Sequence, residues 1–444
     1  MSEEQSLESR PSRTAGDPLL DVRGLEKHYP ITEGVLKKQV GKVRAVDGVS
    51  FSIGRGETLG LVGESGCGKS TAAENILRLE DPTGGQVLFD GKDVTGIEGQ
   101  ELKQFRRRAQ IVFQDPTSSF DPRMSVGESI TEPLLIHGMR DRERRRGIGQ
   151  NLLERVGLSA DDYGRYPHEF SGGQKQRIGL ARSLVLNPEF IVADEPVSAL
   201  DVSIKTAILN LIDDLQEEFD LSILLISHDM GVVRQVCDRV AVMYLGKIVE
   251  MGPTEQLFDD PQHPYTQALI SSIPRPDPNQ RGTSVRLSGT VPSPSNPPSG
   301  CRFHTRCPQV IQPEGYEFEQ TEWRGVMDVR HRLQTGELDL EAIRELQVAG
   351  DGEEPTDEAV KGGIREEFDL PGTLSSPPAE AVFDEALDQV VAEEFGDAAA
   401  LLAEEFETVC EREEPPLDAT DAGHVAACHL HDDAVTATLD GIDE

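Results

Sequence analysis

The segment GESGCGKST, residues 63–71, limits what this chain can fold into more than any other feature. It matches the spacing G-x-x-x-x-G-K-[ST], it follows the apolar run ETLGLVG, and a helical pattern comes directly after it. Its glycines allow backbone N–H groups to curl around phosphate oxygens, and the N-terminus of the helix adds a positive dipole end. The segment therefore predicts a phosphate-binding loop between a strand and a helix. A glycine turn that binds nothing is the alternative, and this context disfavours it.

The residue types within the loop suggest separate roles. Lys69 is expected to reach the outer phosphates of a nucleotide, and Ser70 to offer a hydroxyl oxygen to Mg²⁺. Cys67 is interpreted as a small side chain that fills the loop rather than as a nucleophile. The candidate nucleotide-binding residues here are Gly63, Ser65, Gly66, Cys67, Gly68, Lys69, Ser70 and Thr71.

The chain from about Leu19 to Gly252 alternates short apolar runs with helical patterns. The runs RAQIVFQD, EFIVADE and LSILLISH are typical of buried parallel strands, and SIKTAILNLIDDLQEEF between the last two has apolar residues at helical spacing. Strand, helix and strand in this order predict an α/β fold with a parallel sheet. RVAVMYLGKIVEMG predicts a hairpin that turns at Gly246.

Two carboxylates stand at the end of the predicted strand in FIVADEP, namely Asp194 and Glu195. Open α/β sheets bind ligands at the carboxyl ends of their strands. We therefore expect Asp194 to orient the Mg²⁺ shell and Glu195 to act as the general base that polarises the attacking water. Two adjacent carboxylates more often lie in a solvated turn without a function. The functional interpretation is favoured here because these two stand at the end of an apolar strand.

A second anion-binding pattern lies in SGGQKQR, whose first four residues are Ser171, Gly172, Gly173 and Gln174. Ser171 can cap a helix, and the two glycines allow an anion to approach the helix N-terminus closely. One chain has no use for two phosphate cradles on a single nucleotide. The pattern therefore predicts that this segment contacts a nucleotide held by another subunit.

Together these motifs resemble the ATP-binding subunits of ABC transporters over about Leu19 to Pro264. The resemblance implies an α/β P-loop ABC-type ATPase core with an antiparallel β subdomain and a helical subdomain near residues 115–180. It implies ATP and Mg²⁺ as cofactors. It further implies that Gln114 senses the metal and is one of the catalytic residues, and that His228 is the switch histidine. Asp201 is expected at a dimer interface, and Tyr29 is expected to stack on adenine. The segment ITEGVLKKQVGKV places Tyr29 farther upstream of Gly63 than the family usually does.

Two longer stretches, DPTSSFDPRMSVGESITEPLLIHG and HPYTQALISSIPRPDP, resemble the ATPases of oligopeptide and dipeptide importers. The resemblance implies an ATP-hydrolysing subunit at the cytoplasmic face of the membrane. Its expected partners are two transmembrane permease subunits, a second ATPase (a heterodimer, with a homodimer as the alternative) and an extracytoplasmic solute-binding protein. No nucleic acid is expected. The runner-up is a soluble ABC ATPase acting on nucleic acid or ribosomes. A regulatory subunit without turnover is disfavoured by Glu195 and His228.

The chain has six cysteines, and two of them, Cys301 and Cys307, stand in GCRFHTRCP. The importer subfamily carries a similar stretch followed by two further cysteines. Cys410 and Cys428 correspond to these two cysteines. The resemblance thus implies one metal centre on these four thiolates, a [4Fe–4S] cluster in preference to Zn²⁺. Between Cys307 and Cys410 lie 102 residues. Because loop-closure entropy grows only logarithmically with length, such an insertion could loop out. Four reduced, unliganded cysteines are the alternative.

The net charge of −37 is concentrated toward the C-terminus, since residues 301–444 carry −28 of it. This acidity, with only 11 lysines, resembles proteins of halophilic archaea, and an acidic tail on an ordinary domain is the alternative. The sequence contains no run of eighteen apolar residues, so it predicts no membrane-spanning helix. We expect a disordered leader over 1–18, an ATPase domain over 19–265, an extension with the first cysteine pair over 266–310, a disordered acidic insertion over 311–405 and the end of the extension over 406–444.

Overall fold

The computed structural model describes residues 17–34, 38–115, 120–198, 200–273, 287, 289–313, 315–347 and 355–432. These residues divide into two compact units. The first contains the chain up to Pro261 together with Asp421–Val425, and the second contains Gln262–Thr420 and the residues from Ala426 onward. Most of the predicted leader, residues 1–16, and part of the predicted extension, residues 274–286, lie outside the described residues.

The first unit has two sheets. Its strands are β1 (Leu20–Glu33), β2 (Lys38–Ile53), β3 (Thr58–Val62), β4 (Gly84–Phe89), β5 (Lys92–Asp93), β6 (Ala109–Val112), β7 (Phe190–Asp194), β8 (Ser222–Ser227), β9 (Arg239–Tyr244) and β10 (Lys247–Pro253). The smaller sheet has the order β2-β1-β4-β5 and is antiparallel. The larger runs β10-β9-β3-β8-β7-β6 and is parallel except for the β9–β10 hairpin.

The predicted parallel strands and the hairpin at Gly246 are confirmed. Every residue of β3 and β8 is buried, as are the first four of β7, which explains their continuous apolar runs. The hairpin turns at Leu245 and Gly246, both with positive φ. Because the strands are parallel, β6, β7 and β8 bring their carboxyl ends to one edge of the sheet.

The helices of the first unit include the one predicted from SIKTAILNLIDDLQEEF. They are α1 (Lys69–Ile76), α2 (Gly99–Arg108), α3 (Val126–Ile136), α4 (Arg142–Arg155), α5 (Gly172–Leu184), α6 (Val202–Phe219), α7 (Met230–Val236) and α8 (Thr254–Asp259). Helices α3 to α5 form the region predicted as a helical subdomain. Helix α3 begins with a capping box, in which the Glu128 N–H donates to Ser125 Oγ and the Ser125 N–H donates to the Glu128 carboxylate.

The second unit is largely helical. It contains α9 (Pro264–Ser271), α10 (Gln320–Thr335), α11 (Leu340–Leu346), α12 (Asp357–Glu367), α13 (Pro377–Val391), α14 (Phe395–Glu405), α15 (Val409–Arg412) and β11 (Asp418–Ala419). Strand β12 (Val425–Ala426) begins at the last residue of the Asp421–Val425 segment. Within the first unit, His424 Nε2 lies 2.7 Å from Glu250 Oε1 on β10, with both side chains fully buried. This pair attaches the Asp421–Val425 segment to strand β10 of the larger sheet.

The expected disorder of residues 311–405 is wrong for the described part of that range. Helices α10 to α14 pack around fully buried side chains, among them Trp323, Phe383 and Phe406. Acidic groups pair with buried basic ones: Arg365 Nη2 lies 2.7 Å from Glu380 Oε1, and Lys361 Nζ lies 3.0 Å from Asp384 Oδ1. Composition is misleading here because it records the amount of charge and not its placement on one face of each helix. None of the described helices is long and apolar enough to cross a membrane.

Candidate nucleotide-binding and catalytic site

The predicted phosphate-binding loop connects β3 to α1, as its spacing requires. Gly63 has φ +150° and Gly68 has φ +106°. A Cβ atom at Gly63 would lie 2.1 Å from the Met243 carbonyl oxygen, and one at Gly68 would lie 1.9 Å from that of Ala45. Only glycine fits these two positions, because both the backbone conformation and the neighbouring backbone exclude a side chain.

Lys69 lies over the loop that precedes it. Its Nζ donates to the carbonyl oxygens of Gly63 and Glu64, each at 2.9 Å, and the residue is only 6% exposed. The ammonium is thus held at the mouth of the loop, where it can meet a phosphate. Cys67 Sγ lies 3.7 Å from Lys69 Nζ, and burial raises the pKa of the Cys67 thiol. The neutral, buried thiol supports the interpretation of Cys67 as a packing residue.

Ser70 and Asp194 form a pair of hard oxygen ligands suited to Mg²⁺. The Ser70 hydroxyl donates to Asp194 Oδ1 at 3.3 Å. Burial is the largest cause that raises the pKa of the Asp194 carboxyl, while the hydrogen bond from Ser70 lowers it and Glu195 raises it further. A divalent cation beside this carboxylate would favour its ionised form. The residues therefore fit the metal that the sequence motifs imply.

Glu195 is held between two side chains from the neighbouring strands. Gln114 Nε2 donates to Glu195 Oε2 at 2.8 Å, and His228 Nδ1 lies 2.9 Å from Glu195 Oε1. Gln114 follows β6 and His228 follows β8, so the order β8-β7-β6 places both beside the end of β7. Glu195 has φ +45°, a left-handed conformation that is strained for a non-glycine residue. Both carboxylate oxygens of the predicted base are therefore oriented by predicted site residues.

Ser171 caps α5, as expected. Its Oγ accepts from the Gln174 N–H at 3.4 Å, and its own N–H donates to Gln174 Oε1 at 3.0 Å. Gly173 packs on Ile204, where a Cβ would lie 2.5 Å from Cγ2, while Ser171 and Gly172 are exposed. Hydrogen bonds of Ser171 within the described chain go to Gln174 and Lys175, not to the Glu195 group. Asp201 is the exposed residue that precedes α6.

Tyr29 lies on β1, and its ring is partly exposed. The described residues among those that lengthen its distance from Gly63 belong mostly to β1 and β2, and Tyr29 pairs with Val43 across these strands. Its hydroxyl donates to Glu80 Oε2 at 2.5 Å. Sequence reasoning missed Glu80, because a single glutamate after a helix carries no motif.

The four cysteines of the predicted metal centre all belong to the second unit. The Cys301 N–H donates to the Cys410 carbonyl oxygen at 2.8 Å, so the long insertion does bring the two segments together. Burial raises the pKa values of the Cys301, Cys307 and Cys410 thiols. However, no three His, Cys, Asp or Glu side chains of the described residues are grouped so that they could hold a metal ion. The expected cluster or zinc site is therefore not supported by the described residues.

Comparison with known proteins gives independent assignments. The family described as ABC transporter matches residues 46–198, the oligopeptide/dipeptide transporter C-terminal region matches 249–313, and a domain of unknown function matches 320–423. The Bacillus subtilis oligopeptide transport ATP-binding protein AppF is 54% identical over 297 residues, which cover 66% of this chain and 90% of AppF. The Escherichia coli dipeptide transport ATP-binding protein DppF is 48% identical over 305 residues, which cover 69% of this chain and 91% of DppF.

Among solved structures, the ATP-binding cassette MJ0796 is 29% identical with a TM-score of 0.48, and the match covers 53% of this chain and 98% of the cassette. The expected P-loop ABC core is confirmed by the family match and the observed sheets. The chain therefore belongs to the family of ABC transporter ATP-binding subunits of the oligopeptide and dipeptide importers.

Proposed function

We propose that this chain binds and hydrolyses MgATP and thereby energises the import of oligopeptides, dipeptides or related solutes. The observation that carries the proposal is the Glu195 carboxylate, held by Gln114 Nε2 and His228 Nδ1 beside the Ser70–Asp194 pair. Lys69 and the loop N–H groups would hold the phosphates, and Ser70, Asp194 and Gln114 would hold Mg²⁺. Glu195 would accept the proton of the attacking water, while Gln114 and His228 keep its two oxygens in place.

The exposed Ser171 and Gly172 favour a dimeric mechanism, because they stand free to meet a nucleotide on another subunit. We propose that each nucleotide contacts residues 63–71 of one subunit and Ser171–Gln174 of its partner. In this mechanism Asp201 lies at the dimer interface. The second subunit is a related ATPase or a second copy of this chain.

Replacing Ser171 with Arg tests this arrangement. We expect the variant to lose most of its hydrolysis, because a bulky cation replaces the helix cap where the partner's nucleotide would dock. The affinity of the isolated chain for MgATP should stay near the wild-type value, measured by equilibrium binding. Asn210→Arg, an exposed position on α6, is the control for the added charge. A collapse of MgATP affinity in the isolated Ser171 variant would mean that the segment acts within its own chain.

A groove in the first unit supports docking of the transmembrane subunits. It has a volume of about 200 Å³, and Gln110, Phe113, Pro133 and Arg182 are among its lining residues. Phe113 in this lining is 44% exposed; Leu135 and Ile136, which follow the lining residue Pro133 on α3, are 50% and 58% exposed. Exposed apolar side chains around a groove mark interaction sites. We propose that a cytoplasmic segment of a permease subunit binds there. In the proposed complex, the chain lies at the cytoplasmic face of the membrane with two permease subunits and an extracytoplasmic solute-binding protein.

We expect Ile136→Glu to weaken co-purification with the permease subunits by roughly tenfold or more, because a carboxylate in place of the exposed apolar side chain opposes apolar docking. Val40→Glu, which changes another exposed apolar residue of the first unit, is the matched control. The measurement is affinity purification of the intact complex with its binding protein, followed by identification of the bound solute. Recovery of ribosomes or nucleic acid without permease subunits would favour the soluble ABC ATPase instead.

The cysteine-bound metal centre is not part of this proposal, because the described residues offer no ligand group for it. Iron, sulfide and zinc analysis after anaerobic purification would detect such a centre. Halophilic origin stays a prediction from the acidic composition.

A further inference from the structure

The ring of Tyr29 is tied to the helix that begins at the phosphate-binding loop. Its hydroxyl donates to Glu80 Oε2 at 2.5 Å, and the side chain of Thr71, the last residue of the loop motif, lies in the surroundings of that hydroxyl. Tyr29 lies on β1, whereas Thr71 lies in the first turn of α1. The hydroxyl of Tyr29 therefore joins the antiparallel sheet to the turn that follows the helix carrying Lys69 and Ser70.

Glu80 is a well-fixed acceptor, although it lies beyond the end of α1. The N–H groups of Leu79 and Glu80 both donate to the Glu74 carbonyl oxygen, at 2.8 and 3.3 Å. Arg78, which stands two residues before Glu80, is buried with φ +55°, and its Nη2 donates to Asp81 Oδ1 at 2.8 Å. These bonds hold the backbone turn after α1, and the Glu80 carboxylate reaches Tyr29 from that turn.

Lys27 completes the group and covers one face of the ring. It stands two residues before Tyr29 on the same strand, so both side chains lie on one face of the sheet. Its Nζ lies 5.1 Å from the centroid of the Tyr29 ring, 3.3 Å from Glu80 Oε2 and 2.7 Å from the Asp81 carbonyl oxygen. With an ammonium on one face, an aromatic ligand would stack on the other.

The protonation states of Tyr29 and Glu80 suit a hydrogen bond from the phenol to the carboxylate. Burial and then the Glu80 hydrogen bond raise the pKa of Tyr29 to about 12, so the phenol remains a donor at neutral pH. The hydrogen bond from Tyr29 is the largest cause that lowers the pKa of Glu80, so the carboxylate remains an acceptor.

We propose that Glu80 is a positioning residue for nucleobase binding: together with Lys27 it fixes the Tyr29 ring as a stacking surface for the purine of ATP. This inference rests on the proposed function, since it concerns the same nucleotide. Glu80 does not touch the nucleotide in this arrangement. It acts through Tyr29, and it couples the base-binding surface to the helix of the phosphate-binding loop.

The test compares MgATP with magnesium tripolyphosphate, which has the phosphates but no base, by equilibrium binding to the full chain and by steady-state hydrolysis. We expect Glu80→Ala and Tyr29→Phe each to weaken MgATP binding by roughly 3- to 30-fold, the range of a lost or misplaced stacking contact. The KM should rise while kcat stays unchanged, and tripolyphosphate affinity should stay within twofold. Glu80→Gln keeps an acceptor oxygen and should restore most of the affinity.

Two results would overturn the inference. One is MgATP affinity within twofold of wild type in Glu80→Ala; the other is an equal loss for tripolyphosphate, which would mean that Glu80 supports the loop and not the ring. Thermal unfolding of each variant verifies the fold. A wild-type chain that binds no MgATP would instead refute the proposed function itself.

Discussion

Replacing Glu195 with Gln is expected to slow ATP hydrolysis by roughly 10²–10⁴-fold, the usual contribution of a general base. The amide is nearly isosteric with the carboxylate, and it can still bond Gln114 and His228, but it cannot accept the proton of water. MgATP binding should persist because Lys69, Ser70 and Asp194 are unchanged. Steady-state phosphate release and equilibrium nucleotide binding measure the two effects, and size-exclusion chromatography with MgATP should reveal a trapped closed dimer.

The control for this prediction is Glu217→Gln, the same change at an exposed position on α6. It should hydrolyse ATP at the wild-type rate. Near-normal turnover in Glu195→Gln would contradict the assignment of Glu195 as the base. Loss of MgATP binding in that variant would instead indicate that the carboxylate holds the nucleotide or its metal.

The second large effect is expected in the helical part of the second unit. Phe406 is fully buried, and its ring lies 6.0 Å from Trp323 and 5.6 Å from Phe318 in edge-on contacts. Phe406→Ala should lower the free energy of unfolding of these helices by about 3–5 kcal/mol, through lost transfer energy and a residual cavity. Trp323 is the single tryptophan of the chain and is fully buried, so its fluorescence during denaturant unfolding reports on this core alone.

Leu346→Ala is the matched control, because Leu346 belongs to the same helices but is 82% exposed. Its unfolding midpoint should stay close to that of the wild type. If the wild-type emission already matched that of a solvent-exposed indole and showed no cooperative transition, the insertion would be unfolded in solution and the packing around Phe406 would not exist.

Local motifs made the phosphate-binding loop and the Asp194–Glu195 pair predictable. Both depend on short-range chemistry: glycine at Gly63 and Gly68 for backbone that no side chain could adopt, and an apolar strand that ends in carboxylates. The parallel sheet was predictable for a similar reason, because strands buried on both faces need continuous apolar residues. Gln114 and His228 carry little signal of their own, and only the family resemblance identified them.

The tertiary structure decided what lies next to what. The strand order places Gln114 and His228 on the two oxygens of Glu195, across separations of 81 and 33 residues. It also places Glu80 on Tyr29, 51 residues away, where no motif pointed. In the second unit it joined Cys301 to Cys410 by a backbone hydrogen bond, while the described residues contain no group of side chains that could hold a metal ion.

The acidic insertion shows the same division most clearly. Its sequence by itself determined that the region is charged and poor in continuous apolar runs, and disorder was the reasonable expectation. Whether Trp323, Phe383 and Phe406 meet in one core, and whether Arg330 finds Glu411 at 2.7 Å, depends on contacts between distant helices. Composition sums over residues, whereas folding energy depends on which of them are buried together. The sequence therefore determined the local chemistry of this protein, and the tertiary structure decided every feature that requires two remote segments to meet.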